Sequence, residues 1–247
     1  MNTSLLRPVW QRIFQRAWIL SLVLFVALGG LRAYGVFGPS SARVLLMLSV
    51  FLMWFLPFIF FTREGRQAMG LKRAGHPQWL ACGLLLGMGA SLVVFGIGWV
   101  LFGRSADNWY ISVLDSFTIG PAAMQIPRVV LFVLYTLPAM IFSPIGEEFF
   151  FRGMLHESVK DQWGATVATL VNAIAFGGTH LLHHGVRWDS TGGHLLLGSG
   201  LLWVGLMMGL SWLFTVCRQQ SGSIWPAVVA HSGFNLMMNA TIFGLLL

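Results

Sequence analysis

An all-α, polytopic transmembrane helix bundle with seven to eight membrane helices is the fold class this sequence predicts, and three observations predict it. Only 9% of the 247 residues are charged and 56% are apolar, against roughly 25% charged in an ordinary soluble domain. Mean hydropathy is +0.75. Apolar stretches of about 20 residues, the length a helix needs to cross about 30 Å of hydrocarbon, recur along the whole chain. A soluble globule of this size is excluded.

The apolar windows run from about 17 to 37, 43 to 62, 78 to 102, 127 to 150, 164 to 182, 195 to 217 and 223 to 247. Between them lie turn-forming segments such as Gly38-Pro39-Ser40-Ser41, Arg63-Glu64-Gly65-Arg66 and Asp189-Ser190-Thr191-Gly192-Gly193. Arg7, Arg12 and Arg16 precede the first window as in a signal peptide, but no small-residue cleavage site follows, so this window is read as a retained span. Trp79, Trp99, Trp188 and Trp225 stand near span ends, as an interfacial aromatic belt requires. Cys82 and Cys217 lie within apolar sequence and read as small buried residues.

The net charge of +7 comes without a Lys/Arg run or an RNA-binding signature, so nucleic acid is not an expected partner. The lipid bilayer is. A cytoplasmic amino terminus puts Arg7, Arg12, Arg16, Arg63, Arg66, Lys72, Arg73, Arg152, Lys160 and Arg218 inside, and leaves Arg32, Arg43, Arg104, Arg128 and Arg187 in outer positions.

Ionisable side chains inside spans are costly, and they are functional candidates for that reason. Glu147 and Glu148 sit in the run Ile141-Phe142-Ser143-Pro144-Ile145-Gly146-Glu147-Glu148-Phe149-Phe150-Phe151-Arg152. Glu148 and Arg152 are four apart with the acid first, the favourable order for a helical ion pair. Glu147 points about 100° away and has no partner in its own segment, so it reads as a lone carboxylate seeking a proton donor or a water to activate. Asn172, Phe176 and His180 share one helical stripe. A reversal at Trp163-Gly164 makes position 180 the antiparallel neighbour of position 147. His231, Asn235 and Asn239 form a second stripe, in which His231 and Asn235 offer two donors to one point, as an oxyanion requires. His76, His156, His183, His184 and His194 read as solvated or interfacial residues.

Glu147-Glu148-x-x-x-Arg152, Phe176-x-x-x-His180 and His231-x-x-x-Asn235, in that order on successive helices, resemble the signature motifs of the CPBP family. That family comprises type II CAAX prenyl endopeptidases and bacterial proteins related to bacteriocin processing and self-immunity. The resemblance covers about 145 to 240 and suggests two parts: motif-free N-terminal membrane helices over 1–125 and a catalytic core over 126–247. It implies an intramembrane endopeptidase in which Glu147 is the general base and His180 its partner. His231 and Asn235 would be oxyanion donors, and Glu148 with Arg152 a supporting ion pair. The implied substrate is a membrane-associated protein or peptide, with no cofactor. The short chain without organelle signals suggests the cytoplasmic membrane of a bacterium.

Two rival readings use the same residues. Zinc held by His180, His231 and a Glu would leave an open water position, although there is no H-E-x-x-H motif and Asn235 suits donation better than ligation. A transporter or a binding-only immunity protein could use Glu and His as a proton relay, although no matching half of the chain carries a broken helix. Pro138 and Pro144 predict a kink or break, with 145–160 as a separate helix paired with 164–180.

Overall fold

The protein is described by a computed structural model covering residues 4–117, 119–121, 125–189 and 192–247, with backbone alone at 188 and 189. The expected Trp188 belt position and the 189–191 part of the expected loop lie outside the described side chains or residues. A short amphipathic helix α1 (Pro8–Phe14) precedes α2 (Ala17–Phe37) and α3 (Val44–Phe60), the latter entered through a 3-10 turn at Ser40–Arg43. Then come α4 (Arg63–Ala68), α5 (Gln78–Phe102), α6 (Trp109–Ser116) and α7 (Arg128–Glu147). α7 runs through a π-helical segment, Glu148–Leu155, into α8 (His156–Thr179). A 3-10 turn at His180–Leu182 and a hairpin of β1 (Val186–Asp189) and β2 (Gly192–Leu195) lead to α9 (Leu197–Ser221) and α10 (Trp225–Thr241), which ends in a π turn at Ile242–Leu246. The polytopic all-α bundle is as expected.

Among the described residues, 5 segments are long and apolar enough to cross a membrane: Ala17–Phe37, Ser40–Phe60, Gln78–Phe102, Arg128–Leu182 and Leu197–Ser221. Large apolar side chains on these helices, such as Val26, Leu85, Val93, Val100, Leu134 and Leu170, point outward. That is the surface a bilayer solvates, and this is an integral membrane protein. α10 carries His231, Asn235 and Asn239 and is buried along most of its length instead.

The fourth segment corrects the expected break. α7 does not stop at Pro138 or Pro144; both lie inside it. A proline removes one N–H and so orphans the carbonyl four residues before it. For Pro144 that carbonyl is Met140, and Ser232 on α10 donates its hydroxyl to it at 2.6 Å. Asn235 donates its amide to the Ala139 carbonyl at 2.8 Å, and Trp54 on α3 donates its indole N–H to the Phe142 carbonyl at 2.8 Å. With neighbouring helices serving the backbone, the helix persists, as intramembrane prolines allow. The chain reverses instead at Gly164, whose φ of 83° and ψ of 170° are open to glycine and costly for other residues. Beyond it, α8 returns alongside the π-helical segment, and the rings of Phe151 and Phe176 meet at 5.3 Å.

α5 and α10 are in backbone contact. A Cβ on Gly87 would collide with the Ala230 carbonyl, and one on Gly233 would lie 2.6 Å from the Leu84 carbonyl. Close approach of this kind is how helices associate where hydrophobic burial offers no driving force. It seats α10, and with it His231, against the hairpin that carries the acidic pair.

Candidate active site

The two glutamates diverge as the helical angle requires, and each finds a different partner set. Glu148, fully buried, accepts a 2.9 Å hydrogen bond at Oε1 from His231 Nδ1. It also forms the expected ion pair with Arg152, Nη1 to Oε1 at 3.1 Å. The Arg152 guanidinium lies over the Phe176 ring at 4.0 Å and near that of Phe214 at 5.1 Å. In that dry setting the ring faces supply part of the stabilisation that water gives an exposed cation.

Glu147 is not the lone carboxylate that its own segment suggests. Its Oε1 accepts from Arg32 Nη2 at 2.6 Å and from Ser143 Oγ at 3.0 Å. Arg32 is therefore not in an outer loop. It lies inside α2, 6% exposed, and also donates to Ser49 Oγ on α3 at 3.3 Å. No argument from the local segment reaches a partner 115 residues away. A usable signal was present nonetheless: an arginine within the apolar run 17–37 falls under the same rule that singled out Glu147. The second oxygen of each glutamate, Oε2, is buried and has no hydrogen-bond partner in the protein.

His180 sits where α8 tightens into a 3-10 turn, and it is 7% exposed. Its Nδ1 lies 2.7 Å from the Phe176 carbonyl. A carbonyl only accepts, so Nδ1 carries the proton and Nε2 of the neutral ring is an acceptor. Phe176 is the common plate of the site: its ring lies 4.4 Å from that of His180 and 6.0 Å from that of His231. His231 also stacks on Phe214 at 5.1 Å. Asn172, on the same stripe as Phe176 and His180, reaches outward instead to Ser211 of α9 at 3.3 Å.

An apolar cavity of about 590 Å³ opens beside this cluster, between α2, α3 and α7. Glu147, Arg32, Arg43, Ser116, Ser143 and His183 are its polar lining, and Val36, Leu46, Met47, Phe51 and Phe142 are among its apolar walls. Of the six expected site residues only Glu147 lines it. His180 and His231 lie behind, within electrostatic reach of Glu147 but with no hydrogen bond to it. Asn235 is half-buried with its amide on the Ala139 carbonyl.

His183 is exposed in the turn that follows His180–Leu182, as expected of a loop residue, and also lines the cavity. Three further expectations are corrected. His184 is buried between Ser112 and Ser199, and Ser199 in turn donates to Asp107. His156 is buried beside Arg218 and Glu157. Cys82 is exposed on α5, while Cys217 is buried. For His184 and His156 a neighbouring element closes over a segment that is polar in sequence. Among the described residues no group of three His, Cys, Asp or Glu side chains is arranged to hold a metal ion.

Residues 129–237 match the model of the family described as Type II CAAX prenyl endopeptidase Rce1-like. No curated protein and no solved structure matches the chain. The matched stretch begins in α7 and ends in α10, and it contains Glu147, Glu148, Arg152, His180, His231 and Asn235. Over that stretch, a little under half of the chain, the protein is similar to the type II CAAX prenyl endopeptidases, in line with the motif resemblance.

Proposed function

We propose that this protein is an intramembrane endopeptidase that hydrolyses a peptide bond of a membrane-associated protein or peptide with water activated by Glu147 and His180. The observation that carries this reading is Glu147 itself: one oxygen is anchored by Arg32 and Ser143, while the other is unpartnered, and the residue lines the cavity between α2, α3 and α7. In this reading Oε2 takes a proton from a water as that water attacks the scissile carbonyl. The same carboxyl returns the proton to the leaving amine when the C–N bond breaks, so the enzyme ends unchanged. Nε2 of His180 accepts the water's other hydrogen and orients it.

The tetrahedral intermediate carries an oxyanion. Glu148 accepts from Nδ1 of His231 and so orients the ring, which in this reading is the first oxyanion donor. Asn235 spends one amide hydrogen on Ala139 and has a second to give. Arg152 and Glu148 orient His231 rather than touch substrate. No metal enters this scheme. The chain is placed in a bacterial cytoplasmic membrane with its amino terminus inside, following the distribution of Lys and Arg.

The test compares newly formed peptide termini in membranes containing the wild type, Glu147→Gln or His180→Ala. The wild type generates termini that both folded variants lack; equal cleavage by a folded Glu147→Gln protein rejects the reading. Activity of purified protein persists after rigorous chelation. Loss on chelation with recovery on adding zinc would instead establish the metal-dependent form.

A further inference from the structure

We propose that Arg32 of α2 is a positioning residue for Glu147, so that the working site extends into a helix outside the matched stretch 129–237. This rests on the protease reading above. A buried arginine in a membrane-spanning helix is costly unless its N–H groups are paired. Here the pairing is built in sequence. Leu46 fixes the Ser49 hydroxyl through its carbonyl at 2.7 Å, Ser49 Oγ receives Arg32 Nε at 3.3 Å, and Arg32 Nη2 reaches Glu147 at 2.6 Å.

The consequence lies in which oxygen is taken. A carboxylate has two equivalent oxygens and a soft terminal torsion. Arg32 and Ser143 both address Oε1, from α2 and from one turn earlier on α7. That fixes the torsion from two sides and leaves Oε2 as the one oxygen available for proton transfer. The other charged or titratable groups around Glu147 are the adjacent Glu148, Arg43 in the lining of the same cavity, Arg152 of the π-helical segment, His180 and His183 of the turn after α8, and His231 of α10. Each of these either holds a different partner or makes no bond to Glu147. Arg32 is the one cation hydrogen-bonded to it among the described residues.

The test uses the full chain in lipid nanodiscs with Arg32→Gln and Arg32→Lys. The probe is a peptide spanning a cleavage site found by comparing termini in wild-type and Glu147→Gln membranes. Arg32→Gln lowers kcat by about 100-fold, the cost of a misplaced catalytic group, and leaves KM within about threefold, because Arg32 acts on the base and not on substrate binding. Arg32→Lys recovers about tenfold, since an ammonium restores the charge without the fork. Melting temperatures supply a readout independent of cleavage: Arg32→Gln lowers Tm when residue 147 is Glu and has little effect in the Glu147→Gln background. An unchanged kcat in folded Arg32→Gln, or equal Tm shifts in both backgrounds, overturns the proposal. A wild type that cleaves nothing rejects the protease reading, and the positioning role with it. The melting cycle then identifies the pair as purely structural.

Discussion

The rings of Phe151 and Phe176 meet nearly perpendicular, with centroids 5.3 Å apart. In one straight helix they would stand on the order of 35 Å apart, at about 1.5 Å of rise per residue. The contact therefore fixes the reversal at Gly164 and sets the register that brings the His180 turn back to the level of Glu147. It also places Phe176 under Arg152, so one aromatic ring both closes the hairpin and carries the cation of the Glu148 pair.

Because Arg152 and Glu148 are both fully buried, Glu148→Gln leaves a cation without its counter-ion. It is expected to destabilise the protein by about 3–5 kcal/mol. The double variant Glu148→Gln/Arg152→Met recovers much of that loss. Denaturation in detergent checks both; a double variant less stable than the single one contradicts the assignment.

Ser232 serves the Met140 carbonyl that Pro144 leaves without its helical donor. Ser232→Ala should cost about 0.5–1.5 kcal/mol. With Pro144→Ala present, a new backbone N–H takes over that carbonyl and the same serine substitution costs less. Equal costs in the two backgrounds would show that the hydroxyl has another task.

At the α5–α10 crossing, Gly87 faces the Ala230 carbonyl, whereas nothing lies within 4 Å of a Cβ on Gly89. Gly87→Ala is expected to cost about 1–3 kcal/mol by forcing the helices apart. Gly89→Ala is tolerated. Thermal unfolding of the two single variants in the same detergent measures the contrast directly.

Burial holds the His184 imidazole below the usual histidine range, and Asp107 opposes that shift without cancelling it. The unfolded chain therefore binds more protons below about pH 6.5, and the contribution of neutral His184 to stability, complete above that pH, is lost as pH falls. The Tm advantage of the wild type over His184→Gln should shrink between pH 7.5 and pH 5. A gap that stays constant with pH would mean the histidine does not titrate in this range.

Glu148 and Arg152 could be paired from sequence because their contact is local: four residues on one helix put them together whatever the rest of the chain does. The hairpin at Trp163-Gly164 was legible for a similar reason, since a glycine between two apolar legs marks where a helix can reverse. Glu148 with His231 and Glu147 with Arg32 were not. Both are contacts between segments far apart in the chain, and nothing in either segment's periodicity specifies which face of another helix it will meet. The persistence of α7 through Pro144 was hidden for the same cause, because the hydroxyl that serves the orphaned Met140 carbonyl lies on α10.

The amino-acid order by itself determined the solvent, the helices and the residues that could do chemistry, because hydrocarbon tolerates few charges and those few stand out against apolar neighbours. Only the tertiary structure decided which carboxylate would be tethered, by which cation and through which oxygen. Those choices depend on helix-to-helix approach distances set by glycine contacts and backbone hydrogen bonds, and such distances have no one-dimensional signature.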